Sequence, residues 1–131
     1  YETVIKPEID GDLIKYVGEV RGKEKAEFLS GARALVYPVK TAEPFGLVLI
    51  EAMASGVPPV AFNNGAVSEI IKHGSTGWTG ESIEDLAEGL ERLENINRTS
   101  IRNYAEKEFS SEIMVDRIEE VMFEITGKSN K

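Results

Sequence analysis

The chain has 131 residues, the size of one ordinary domain, and 41% of them are hydrophobic, which excludes wholesale disorder. Its 15 basic and 23 acidic residues give a net charge of −8, which argues against a nucleic-acid partner and allows at most a peripheral contact with a membrane. The absence of cysteine and the single histidine exclude a disulfide framework, a thiolate nucleophile and a paired-histidine zinc site. With no apolar run long enough to span a membrane and no signal-peptide pattern, we expect a cytoplasmic domain.

Predicted strands and helices alternate over the first 80 residues. Residues 1–7 resemble the end of a helix, and short apolar segments predict strands at residues 13–17, 34–38, 59–62 and 76–79. Helical patterns lie between them at residues 23–32, 46–55 and 66–72. The strand at 34–38 has almost no polar alternation, which predicts cover on both faces. Short connections of this kind favour right-handed βαβ units in a parallel sheet.

Three further helices are predicted after residue 80. They cover residues 82–94, 99–109 and 111–126; Ser82 and Asp85 stand where a capping box would begin the first, and Asn97 is expected to end it. Residues 127–131 should fray. The chain opens inside a predicted helix rather than with a strand, so we expect the domain to be incomplete at its N-terminus.

Residues 43–56 carry the chemistry. They follow a predicted strand, and Gly46 would let a ligand approach the backbone before a helix begins. The first N–H groups of that helix lack intrahelical partners and lie at the positive end of its dipole, which favours an anion such as a diphosphate. In open α/β sheets ligands sit at the carboxyl ends of strands, where this segment lies.

Two carboxylates flank the predicted anion site. Glu51 is the only charge between Gly46 and Ser55, so we expect it to be buried and to need partners. Ligand hydroxyls would serve, whereas a basic partner would make Glu51 structural. Glu43 precedes the helix, either as a second ligand group or as a loop carboxylate favoured by the dipole. The order of polyol, diphosphate and polyol fits a nucleotide-sugar. A helix tip occupied by the protein's own side chains, or a basic partner already held by Glu51, would contradict it.

The segment EPFGLVLIEAMASGVPPVAF resembles the E-x7-E signature of the retaining group 1 (family four) glycosyltransferases, which use nucleotide-sugars. The resemblance extends from about residue 6 to residue 121 through YVGEV, GAVSEIIKHGSTGW and FSSE. It implies a Rossmann-like, three-layer α/β/α parallel sheet, with extra C-terminal helices, that forms the C-terminal, donor-binding half of a GT-B fold. Residues 1–131 would be that single domain, and residues 110–127 would pack toward a missing N-terminal, acceptor-binding domain.

The resemblance also implies roles for particular residues. Glu43 would contact the transferred sugar as the catalytic residue, and Glu51 would accept hydrogen bonds from the ribose hydroxyls. The remaining donor-binding positions would be the backbone amides of Phe45, Gly46, Leu47 and Val48, with Val20 and Arg21 near the base. The family needs no metal or cofactor. Its Arg…Lys pair, which clamps the diphosphate, is absent here together with the acceptor-binding domain, so we expect this fragment alone to be inactive.

The resemblance leaves alternatives open. The full enzyme would transfer a sugar with retention to a glycan, a lipid-linked sugar or a small polyol, but another GT-B enzyme, an epimerase or a starch- or trehalose-type synthase, would share this site. A non-catalytic nucleotide-sugar-binding module is the third possibility. Other polar residues have ordinary interpretations: Lys23 and Lys25 as solvated helix charges and His73 as a surface turn residue. The stripe from Met114 to Met122 is expected in the core or at a domain interface.

Overall fold

The computed structural model describes residues 1–127, and the expected fraying of residues 128–131 lies outside them. In this described part of the chain, three parallel strands form one sheet in the order β1-β2-β3: β1 (Leu35–Tyr37), β2 (Pro59–Phe62) and β3 (Trp78–Gly80). Val60 of the central strand is in register with Val36 on one side and Trp78 on the other. Every residue of β2 is buried, as its uninterrupted apolar sequence predicts.

Within residues 1–127, six α-helices surround or follow this sheet. They are α1 (Gly22–Ser30), α2 (Leu47–Ala54), α3 (Val67–Ile70), α4 (Ile83–Arg92), α5 (Arg98–Phe109) and α6 (Ser111–Thr126), with 3-10 turns at Lys6–Glu8 and Leu93–Asn95. Helix α2 is apolar on nearly every side and packs against α1, α5 and the sheet. Its Leu49 and Met53 join Val60 of β2 and Ile101 of α5 in the centre of the core.

The predicted alternation of strands and helices is confirmed from residue 22 onward. The capping box at the start of α4 is present, because Asp85 N–H donates to Ser82 Oγ at 3.1 Å and Ser82 N–H donates to Asp85 Oδ2 at 2.9 Å. Helix α6 has the predicted bounds, while α3 is shorter than predicted because Ile71 is already extended.

The predictions for the N-terminal residues are wrong. Residues 13–17 form no strand and their apolar side chains are exposed, because an apolar segment becomes a strand only where a neighbour supplies hydrogen bonds. Residues 1–7 contain turns and the start of the 3-10 turn Lys6–Glu8 instead of an α-helix.

Two smaller expectations also fail, and for the stripe from Met114 to Met122 one of its two expected places, the core, is excluded. Val36 of β1 is 46% exposed, so this strand is not covered on both faces. Asn97 begins α5 instead of ending a helix, because its side chain accepts a hydrogen bond from Ser100 N–H at 3.0 Å. No residue of α6 is buried, which places the stripe from Met114 to Met122 outside the core of the described residues.

Candidate functional site

The N-terminal tip of α2 lies just beyond the carboxyl end of β1. Gly46, the residue before the helix, has φ +81°, a left-handed conformation that glycine adopts at little cost. A Cβ there would also lie 3.0 Å from Leu49 Cδ1 and 3.3 Å from Ile70 Cδ1. The backbone conformation therefore favours glycine where the sequence predicts an approach to the backbone, and a larger residue would also need the Leu49 and Ile70 side chains to shift.

The carboxylate of Glu43 lies at this tip. Its Oε1 accepts hydrogen bonds from the backbone N–H groups of Gly46 at 2.9 Å and Phe45 at 3.3 Å. Its Oε2 accepts a hydrogen bond from the Tyr37 hydroxyl at the end of β1. The Tyr37 hydrogen bond, followed by the two amides, holds the pKa of Glu43 below its usual value, and the same bond raises the pKa of Tyr37. Glu43 is therefore a fixed, ionised carboxylate.

The backbone of Glu43 is held against Gly65, in the turn after β2. The two residues form an isolated parallel bridge, and Ala66 N–H donates to Glu43 O at 2.9 Å. A Cβ on Gly65 would lie 2.3 Å from Glu43 O and 2.6 Å from Glu43 N. Only glycine lets the two segments approach this closely, so Gly65 sets where Glu43 lies.

The tip of α2 is partly occupied. The Phe45 and Gly46 amides bind Glu43, and Leu49 N–H donates to Gly46 O at 2.9 Å. Within residues 1–127, no acceptor takes the N–H groups of Leu47 and Val48, as expected of the first turn of a helix. The predicted site therefore retains two of its four amides for an anion, and the protein's own carboxylate holds the other two.

Glu51 differs from its prediction in two ways. Its side chain is 38% exposed rather than buried, and it already has a basic partner, since Lys25 Nζ lies 2.5 Å from its Oε1. Lys25 is therefore not the solvated helix charge that the sequence suggests. Helix α1 packs against α2, which brings the two side chains together from positions 26 residues apart. This basic partner counts against the expectation that ligand hydroxyls alone satisfy Glu51, and among residues 1–127 no hydrogen bond to its Oε2 is found.

The predicted base-side residues lie beside α1. Val20 is half-buried, and Arg21 is the residue before the helix, with its Nε 2.9 Å from Glu19 Oε1. Among the described residues no hydrogen bond joins Val20 or Arg21 to the tip of α2. Their link to the site runs through α1, because Lys25, which holds Glu51, donates its backbone N–H to Arg21 O at 3.3 Å.

Three residues at this site escape the sequence analysis. Tyr37 gives a weak signal, a hydroxyl at the carboxyl end of a strand that precedes Glu43. Gly65 gives a better one, because Asn-Asn-Gly after a strand favours a turn with positive φ, observed here as +60°. Lys25 gives none, because its contact with Glu51 depends on how two helices pack.

Further features surround the tip. A groove of about 590 Å³ adjoins it, lined on one side by Phe45, Leu47 and Ile50 and on the other mainly by apolar residues of α6. Within residues 1–127 there is no group of three or more His, Cys, Asp or Glu side chains that could hold a metal ion. None of the described helices is both long enough and apolar enough to cross a bilayer.

Residues 9–108 match the family model of the glycosyl transferases group 1. The chain belongs to this family. Among curated members, it is 35% identical over 91 residues to an N-acetyl-alpha-D-glucosaminyl L-malate synthase of Bacillus anthracis, covering 63% of this chain and 24% of that protein. It is 37% identical over 94 residues to a D-inositol 3-phosphate glycosyltransferase of Pseudarthrobacter chlorophenolicus, covering 70% of this chain and 22% of that protein.

The fold of this group 1 chain is also found in a solved structure. HepE of Anabaena, in complex with UDP-glucose, superimposes with a TM-score of 0.66 and 21% sequence identity, over 86% of this chain and 33% of HepE. The predicted fold class, a Rossmann-like α/β domain of the GT-B type, is thereby confirmed. The chain spans about a quarter of the length of the two curated relatives and a third of HepE.

Proposed function

We propose that this chain is the donor-binding domain of a glycosyltransferase. The enzyme transfers a sugar, with retention, from a nucleotide-diphosphate sugar to a glycan, a lipid-linked sugar or a small polyol. One observation carries this proposal: Glu43 just before α2, the N–H groups of Leu47 and Val48 in its first turn, which have no acceptor among residues 1–127, and Glu51 in its second turn follow one another in that order. Glu51 lies four residues beyond Leu47, or roughly 6 Å along a helix, which matches the spacing between neighbouring groups of a nucleotide-sugar.

The free amides at the tip of α2 supply this domain's share of the chemistry. When the bond between the sugar and the diphosphate breaks, negative charge develops on the leaving phosphate. The N–H groups of Leu47 and Val48 and the positive end of the helix dipole stabilise that charge without reorganisation. Removing one such fixed donor typically costs about 3 kcal/mol of transition-state stabilisation. This chemistry uses backbone groups and needs no metal ion.

The two carboxylates hold the ends of the donor. Glu43 is kept ionised by Tyr37 and by the Phe45 and Gly46 amides, so it accepts hydrogen bonds from hydroxyls of the transferred sugar. Glu51 accepts the ribose hydroxyls with the oxygen that Lys25 does not use. The loop at Val20 and Arg21, which leads into α1, contributes to the base side of the same pocket.

Comparison with relatives supports this assignment. HepE, whose fold this chain shares, is known in complex with UDP-glucose, and the curated relatives include a glycosyltransferase that acts on D-inositol 3-phosphate according to its name. Because this chain spans only part of each relative, we infer that the acceptor is bound by a further domain. We also propose that the enzyme is cytoplasmic. The exposed apolar face of α6 is where residues 110–127 would pack against that domain.

Binding of nucleotide-sugars to the natural full-length protein tests the proposal. We expect calorimetry or saturation-transfer NMR to detect binding of at least one among UDP-glucose, GDP-mannose and ADP-glucose. Glu51→Gln should weaken it about tenfold, the value of one hydrogen bond to a charged group, while the exposed control Glu84→Gln leaves it unchanged.

The same measurements separate the rival interpretations. A protein that binds none of the three donors is not a donor-binding domain. If Glu51→Gln lowers only the free energy of unfolding and leaves donor binding intact, Glu51 is a structural partner of Lys25. Product analysis with the bound donor distinguishes sugar transfer from epimerisation and from a sugar-binding module without turnover.

A further inference from the structure

The ion pair between Lys25 and Glu51 is unlike the other ion pairs of residues 1–127. In each of the others, at least one side chain is 57% exposed or more, whereas Lys25 and Glu51 are 36% and 38% exposed. Exposed pairs are screened by water and leave both side chains mobile. The half-buried contact of 2.5 Å between two helices instead restricts the side chain of Glu51.

The position of Lys25 is set by the packing of α1. Leu29, one helical turn after Lys25, is buried against Ala52 and Val57, and Ala52 is the residue next to Glu51. The C-terminal end of α1 is held as well, because the guanidinium of Arg98 donates to Ala32 O at 3.0 Å and Ser30 O at 3.2 Å. Helix α1 is therefore anchored at its buried face and at its end, and it presents Lys25 to Glu51 from a fixed base.

We propose that Lys25 is a positioning residue for the donor site, a proposal that rests on the function proposed above. Its ammonium group holds Oε1 of Glu51 and thereby turns Oε2 toward the ribose of the donor. A carboxylate has about four lone-pair positions, so it can keep its bond to Lys25 and still accept from ligand hydroxyls. Without Lys25, the side chain of Glu51 would sample several rotamers. Donor binding would then have to order that side chain, which costs free energy.

Substitution of Lys25 in the natural full-length protein tests this role. Lys25→Met keeps the length of the side chain and removes its charge. We expect the Kd for the nucleotide-sugar that the parent protein binds, among UDP-glucose, GDP-mannose and ADP-glucose, to rise about three- to tenfold, the effect of one side chain that must be ordered. Lys25→Arg should restore much of the affinity. Lys23→Met removes the same charge from an exposed position of the same helix and should leave the Kd for the nucleotide-sugar unchanged.

A second background shows whether Lys25 acts through Glu51. In a Glu51→Gln protein, Lys25→Met should add little further loss, because the carboxylate that it positions is gone. An equal loss of donor affinity from Lys25→Met in both backgrounds would overturn the proposal. An unchanged or lower Kd in the single Lys25→Met variant would also overturn it, because Lys25 would then only compete with the ribose for the carboxylate of Glu51. A parent protein that binds none of the three donors would overturn the proposed function itself, whereas the other outcomes concern Lys25 alone.

Discussion

Gly65→Ala would displace Glu43 without touching any atom of its side chain. The added Cβ would lie 2.3 Å from Glu43 O and 2.6 Å from Glu43 N, where real Cβ atoms essentially never come closer than 3.0 Å. Both contacts are with backbone, which cannot turn aside as a flexible side chain would. The loop that carries Glu43 must therefore move by at least about 0.7 Å.

The expected loss of stability has two parts. Alanine in the left-handed conformation of residue 65, with φ +60°, costs about 1–2 kcal/mol. Moving the loop also weakens the hydrogen bond from Ala66 N–H to Glu43 O, which contributes about 1 kcal/mol. We expect the free energy of unfolding to fall by about 2–3 kcal/mol. A displaced Glu43 also loses a hydrogen bond from a charged group to the transferred sugar, so donor affinity should fall about tenfold.

Gly74→Ala is the matched control for this experiment. Gly74 has φ +72°, so alanine meets the same backbone strain, but no atom lies within 4 Å of the new Cβ. Urea unfolding of the two variants should differ by about 1 kcal/mol or more, and only Gly65→Ala should weaken donor binding in calorimetry. Equal stabilities, or a Gly65→Ala protein with parental donor affinity, would refute the claim that Gly65 sets the position of Glu43.

Three further predictions concern other contacts. Tyr37→Phe removes the donor to Glu43 Oε2, so the pKa of Glu43 should rise toward its usual value in a carboxyl NMR titration, whereas the exposed Tyr16→Phe should leave it unchanged; an unaltered titration would contradict the role of the phenol. Hydrogen bonds from backbone amides lower the pKa of Asp85 in the folded state, so its stabilisation is present at neutral pH and is lost as the pH falls below about 4. Asp85→Asn should therefore lower the urea midpoint at pH 7 and lower it less at pH 3, and a difference independent of pH would refute this. Ile118→Glu on the exposed face of α6 should change the unfolding free energy of this 131-residue chain by less than about 0.5 kcal/mol but destabilise the full-length protein, and equal effects in both would argue against a domain contact at α6.

Much of the fold follows from local patterns. The apolar residues of β2 and α2 predict buried elements, and Ser82 with Asp85 predicts the start of α4, because capping involves groups only three residues apart. Residues 13–17 have an equally good strand composition and yet form none. The composition of a segment states its preference for a strand, but a strand exists only where a neighbouring strand pairs with it.

The candidate site also has features that the local sequence predicts and features that depend on how the elements pack. The sequence predicts Glu43, Gly46 and the amides of α2 as one unit, because they lie within a few residues of each other around the start of one helix. The burial of Glu51 is predicted wrongly. An apolar helix suggests a buried carboxylate, but α1 leaves this part of the surface partly open and brings Lys25 to it.

By itself, the sequence determined the local structure: the alternation of strands and helices, the tip of α2 with its first-turn N–H groups, and the two carboxylates eight residues apart. Only the tertiary structure decided which groups those carboxylates meet. Tyr37 and Gly65 hold Glu43, and Lys25 holds Glu51, from positions that are distant along the chain or come from a different element. Helix initiation depends on neighbours within one turn, whereas contacts between elements depend on how a whole core packs, which no short segment encodes.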